Sequence, residues 1–171
     1  MGSTTFRAQH HPGGDASEGD SCGGPNPARE NKGAWPTLMV KAGDSEPLGA
    51  LRDDMRWWFS ASDHQVNIVL LTKFDHLHQR IIIERWEEET RTRTGATTTR
   101  RAAASGALQS VLRQSITITR DPATDSYHVA GSALVLPFLL LFLRDPGPQE
   151  GDFIMSIADL QTYARHVWRD V

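Results

Sequence analysis

The sequence predicts an α/β fold of the α+β kind: a small mixed β-sheet flanked by helices, behind a disordered N-terminal tail. Three observations carry this. Leu48, Leu51, Met55, Trp58 and Phe59 recur at helical spacing, as do Ile157, Leu160, Ala164, Val167 and Trp168. Between these stripes lie short β-branched apolar runs bounded by turn residues. Residues 1–34 hold half of the 14 glycines, with Pro12, Pro25 and Pro27, and their few apolar residues have no period.

Such a tail cannot bury enough surface to offset its ordering entropy, so residues 1–34 are expected to be disordered. His10 and His11 are adjacent there, without the further ligands a metal site needs. The lone cysteine, Cys22, cannot close an internal disulfide, so nothing demands an oxidising compartment. The N-terminus lacks the apolar segment of a signal peptide. The expected location is intracellular, cytoplasmic or nuclear, and not secreted.

Residues 35–171 are expected to form one domain, interrupted by a low-complexity insertion at 89–110. It opens with "PTLMVKA", a strand whose single charge, Lys41, stands among apolar residues. Ser45 is placed to cap the next helix, with Pro47 in its first turn, where a missing N–H costs little. That helix turns its apolar stripe inward and sets Arg52, Asp53 and Arg56 on or near the other side. Trp57 and Trp58 offer either a base-stacking platform or core packing; packing is the simpler reading for Trp58.

"HQVNIVLLTK" and "QRIIIERWEE" are expected to form an antiparallel hairpin across the turn "FDHLH". Asp75, His76 and His78 in that turn have metal-ligand chemistry but no third or fourth partner at matching spacing. The insertion is locally basic through Arg91, Arg93, Arg100 and Arg101, side chains suited to following phosphates, though without interleaved aromatics. "QSITITR" and "YHVAGSALVLP" are the next expected strands. The run Ala133–Leu143 is too short for a bilayer, which takes about 20 residues, and Pro137 divides it. It is expected to be a strand entering a short helical turn. "DFIMS" is a last short strand, and Ser156 with Asp159 resembles a capping box opening the final helix.

The formal net charge of −3 gives no global attraction to nucleic acid or to an anionic membrane. No phosphate loop, nucleophile elbow or dinucleotide-binding glycine fingerprint is present.

The order and wording of "PTLMVKAGDSEPLGALRDDMRWWF", "QVNIVLLTK", "RIIIERW" and "LPFLLLF" resemble the PD-(D/E)XK nuclease superfamily. The nearest likeness is to its putative restriction endonuclease family, and "IIERWEE" resembles the I-E-K-W-E strand of fungal-type members. The resemblance runs from Trp35 to the C-terminus. It implies a restriction-endonuclease-like sheet and an ancestral Mg²⁺-dependent endonuclease, in which two carboxylates hold the ion that activates water. The strand resembling "PTLMVKA" supplies one of those acids. Lys41 falls on that glutamate position, Ala42 follows it, and Gly43 falls where the pattern places a lysine. The second acid would come from an upstream strand; none is visible in residues 1–34, where Asp15 and Asp20 lie among glycines and serines.

An ammonium in a ligand position repels Mg²⁺. The resemblance therefore implies a degenerate member, a pseudoenzyme without catalysis or cofactor that retains weak nucleic-acid or protein binding. The alternatives are a nuclease that keeps Mg²⁺ through Asp44, Glu46 and Glu84, or an unrelated interaction domain whose basic loop recruits an acidic partner. Without upstream strands the edge beside Pro36–Ala42 would lie bare, so marginal stability or self-association through that edge is expected.

Overall fold

The structure, a computed structural model, describes residues 5–7, 16–31, 33–90 and 108–169. Strands β1 (Thr5–Arg7) and β2 (Ala16–Glu18) pair with each other, antiparallel. Then β3 (Ser21–Gly23) runs antiparallel to β4 (Leu38–Gly43). Helix α1 (Leu48–Ala61) carries the chain from β4 to β5 (Ile68–Asp75), which lies parallel to β4. Strands β6 (Arg80–Thr90), β7 (Leu108–Asp121) and β8 (Ser126–Ala130) follow as antiparallel neighbours. The six-stranded sheet has the order β3-β4-β5-β6-β7-β8. Beyond it come β9 (Leu134–Leu136), α2 (Phe138–Phe142), β10 (Phe153–Met155) and α3 (Ile157–Arg169), with β9 and β10 forming a separate antiparallel ribbon.

The expected α/β class and mixed sheet are thus present, with a helix on each face. Alternation along the strands divides the core in two. Ile68, Leu70, Ile81, Ile83, Ile116 and Ile118 pack under Leu160, Ala164 and Trp168 of α3. On the opposite face Met39, Val69 and Leu71 pack under Leu51, Met55, Trp58 and Phe59 of α1. The hairpin of β5 and β6, the strand-then-turn at Leu134–Phe142 and the final helix lie where the sequence predicts them. Ser156 and Asp159 form the expected reciprocal box: the Asp159 N–H donates to Ser156 Oγ at 3.2 Å, and the Ser156 N–H donates to Asp159 Oδ2 at 2.9 Å.

Several expectations are corrected. Residues 1–34 were expected to contain no strand, yet β3 pairs with β4. Asp20 extends that cover: its N–H donates to the Val40 carbonyl at 3.2 Å, and its carboxylate accepts the Ala42 N–H at 2.7 Å. The edge at Leu38–Ala42 is therefore not bare, and the reason for expecting self-association there is removed. Ser45 does not cap α1. Pro47 holds the N-cap position with an extended backbone and no side-chain cap, because its fixed φ ends the loop two residues beyond Ser45.

The expected strand "YHVAGSALVLP" is two strands. Gly131 turns the chain at φ +121°, and a Cβ there would stand 3.0 Å from the Ser115 carbonyl oxygen. Leu108–Ser110, assigned to the insertion, begin β7, while Glu89 and Thr90 end β6. Ile157 is exposed rather than on the inner face of α3. Among the described residues no helix is long and apolar enough to cross a membrane.

Candidate functional site

Lys41 lies in register with Leu71 of β5, which pairs with Glu84 of β6 and through it with Ser115 of β7. Directly paired residues share a face. Lys41 and Glu84 therefore both point toward α1, two strands apart, with Leu71 between them.

Glu84 is 2% exposed. A carboxylate buried that deeply must be paired. Arg52 of α1 supplies a two-pronged partner, Nε to Oε2 at 3.0 Å and Nη2 to Oε1 at 2.5 Å. The Trp86 indole N–H donates to Oε2 at 2.9 Å, and the guanidinium lies 5.9 Å from the Trp86 ring. Its hydrogen bond to Glu84 pushes the Arg52 guanidinium above its ordinary value, against a partial desolvation that would lower it. Both oxygens of the one deeply buried acid in the row are thus committed inside the protein.

Lys41 is half-buried, with its ammonium 3.8 Å from Asp54 Oδ2 of α1. Two residues on, Gly43 is covered by the same helix: a Cβ there would stand 2.9 Å from both Leu51 methyl carbons. The helix has closed onto the strand at the position where the resemblance expects a lysine.

The other candidate acids lie apart. Asp44 leaves β4 and pairs with His76, Oδ1 to Nε2 at 2.5 Å, while Lys73 Nζ donates to the Asp44 carbonyl and, at 2.7 Å, to that of Phe74. Glu46 is exposed in the loop before α1. Asp75 accepts from His78 Nδ1 at 2.9 Å and from Arg80 Nε at 2.8 Å. The His78 hydrogen bond first, and then that of Arg80, hold the Asp75 carboxyl down to about 2. Asp44, Glu46 and Glu84 are therefore not brought together, and the turn histidines are divided between different carboxylates. Among the described residues no group of three or more His, Cys, Asp or Glu side chains is arranged to hold a metal ion.

Trp58 is fully buried, and its ring meets Trp57 at 4.9 Å and Phe6 at 5.6 Å, so it serves packing rather than base stacking. Cys22 is exposed on β3. Arg91, Arg93, Arg100 and Arg101, together with His10, His11 and Asp15, lie outside the described residues.

Sequence reasoning did not single out Asp54 or Trp86, and it named Arg52 and Asp20 without the partners they take, Glu84 and the Ala42 N–H. Arg52 directly follows the buried Leu51 at the margin of the apolar stripe, and that position was the available signal. No family model, curated protein or solved structure matches the chain.

Proposed function

We propose that this chain is a degenerate nuclease-like domain of the PD-(D/E)XK type, a pseudoenzyme that does not cleave phosphodiesters and that retains weak nucleic-acid binding. One observation carries the reading: in the cross-sheet row facing α1, an ammonium stands at the position the resemblance gives to a metal-binding glutamate, and the buried carboxylate of that row is neutralised by a guanidinium. Mg²⁺ needs oxygen ligands whose charge is not already spent. Here Lys41 repels a cation, and releasing Glu84 would require breaking a buried, two-pronged ion pair.

Two further features support it. The unit β4-α1-β5, with a short strand antiparallel to β4, agrees with the strand-helix-strand order on which the resemblance rests. Asp20, on the segment leading into that short strand, reaches the backbone beside Lys41, where an upstream acid would be expected. The binding role falls to Arg91, Arg93, Arg100 and Arg101, whose charge suits phosphate contacts without base stacking.

The test is a plasmid-nicking assay with Mg²⁺ and with Mn²⁺, run beside salt-dependent retention on DNA. The expected result is no nicking, with retention that falls as salt rises and is lost when Arg100 and Arg101 are neutralised. Nicking abolished by Glu46→Ala or Glu84→Ala would replace this reading with a nuclease using non-standard acids. Retention unaffected by the two arginines would remove the nucleic-acid part.

A further inference from the structure

Strand β6 runs past the start of β5. The ladder between them closes at Val69 and Trp86, so Glu87 and Glu88 lie beyond it, beside the segment that leads from α1 into β5. A cavity of about 200 Å³ opens there. His64, Asn67, Glu87 and Glu88 give it polar walls, and Val66, Leu108 and Leu140 give it apolar ones. None of these residues belongs to the row of Lys41.

What the cavity offers follows from which polar atoms are already committed. The backbone N–H groups of His64 and Asn67 donate to the carbonyls of Phe59 and Thr37, each at 3.0 Å, and that of Val66 donates to Ser62 Oγ at 3.2 Å. Asn67 Nδ2 donates to the Leu140 carbonyl at 2.8 Å. His64 Nδ1 stands 2.7 Å from Glu88 Oε2, so the ring N–H points at the carboxylate and the neutral imidazole keeps its lone pair on Nε2. Asn67 Oδ1, His64 Nε2 and Glu88 Oε1 have no hydrogen bond among the described residues, and each is an acceptor. Glu87 is 9% exposed, and its Oε1 is buried without a hydrogen bond, 3.3 Å from Arg85 Nε. The Glu87 charge is shared between Arg85 and Arg113, whose Nε lies 3.2 Å from Oε2. The charge left at the cavity is that of Glu88.

We propose that this cavity binds a small primary alkylammonium ion, its nitrogen held by Glu88 with acceptors from His64 and Asn67, and its carbon chain against Val66, Leu108 and Leu140. An ammonium has three donors and no acceptor, which matches a lining whose remaining polar atoms are chiefly acceptors. Its single positive charge matches the one carboxylate not already paired with an arginine, and Glu88 is largely withdrawn from water, with a side chain 13% exposed. At about 30 Å³ for each water-sized group, the cavity holds roughly six or seven heavy atoms, the size of an amine with about five carbons. A divalent metal is the poorer occupant, because among the described residues no three His, Cys, Asp or Glu side chains are arranged to hold one.

Titration of n-butylammonium chloride into the full chain at about pH 8, followed by amide shifts in proton–nitrogen correlation spectra, tests it. Saturation with a dissociation constant of about 1 mM is expected, with the largest shifts at His64, Val66, Asn67 and Glu88. Tetramethylammonium, which carries the charge but no N–H, is expected to bind about tenfold more weakly or worse. Glu88→Gln keeps the shape and removes the charge, and is expected to weaken butylammonium by about tenfold. The comparison of the two cations is made on the wild type and does not depend on a variant folding. Absence of saturation below about 50 mM overturns the proposal. So do equal binding of the two cations, shifts centred away from the cavity, or a folded Glu88→Gln that binds as the wild type does.

Discussion

Two rows of side chains crossing the same sheet show how differently its faces are built. On the face under α3, Phe74, Ile81, Ile118 and Val129 stand side by side, every one apolar. On the face under α1, Lys41, Leu71, Glu84 and Ser115 stand side by side, with Arg52 and Asp54 closing over them from the helix. The first row is held by burial alone. The second holds charge in a setting where charge is costly unless matched, and each ionised group has a named partner of opposite sign. On the proposed reading these positions bound a cation in an ancestor, and their charges are now paired with one another.

The largest effect that separates the rows is expected from the apolar one. Ile118→Ala should cost about 4 kcal/mol in urea unfolding, through lost burial and the cavity it leaves. Arg52→Ala should cost about 3 kcal/mol, because it leaves the Glu84 carboxylate buried with only an indole donor. The two losses differ in kind. The double substitution Arg52→Met, Glu84→Leu should recover all but about 1 kcal/mol, since it removes both charges, whereas no second change of polarity repairs the Ile118 cavity. Failure of that double variant to recover would place the value of the pair in packing rather than in charge matching.

A smaller effect lies at the turn beyond both rows. Asp75 is held down to about 2 in the folded protein, first by His78 and then by Arg80, while the unfolded chain keeps the ordinary carboxylate value. As pH falls, the unfolded chain therefore takes up this proton first. The stabilisation is complete above the ordinary value and is lost as pH drops from there through about 2. Urea midpoints of the wild type should fall across that window, and Asp75→Asn should flatten the fall. An unchanged slope would mean that the two hydrogen bonds do not persist in solution.

Much of the scaffold was legible in the sequence because it depends on local periodicity. Leu51, Met55, Trp58 and Phe59 define α1 without reference to anything distant, and the Ser156–Asp159 box marks the start of α3. What was not legible depends on partners far along the chain. β3 is three residues with no apolar alternation, and it is a strand because β4 offers an unfilled edge. Arg52 and Glu84 are 32 positions apart, so their pairing appears only when α1 is laid over β6. For the candidate site, the sequence singled out Lys41 and Glu84 separately. Their shared row requires the register of three strands, and the closing of α1 over Gly43 requires the packing distance between helix and sheet.

Calorimetric titration of Mg²⁺ and Mn²⁺ into the wild type and into Lys41→Glu tests the central claim most directly. The substitution removes the ammonium and sets a carboxylate beside Asp54, in the same row as Glu84. No binding is expected in the wild type at about 10 mM ion, and millimolar or tighter binding is expected in the substituted protein. Binding by the wild type that is lost in Glu84→Gln, or no gain on introducing the carboxylate, would contradict the account.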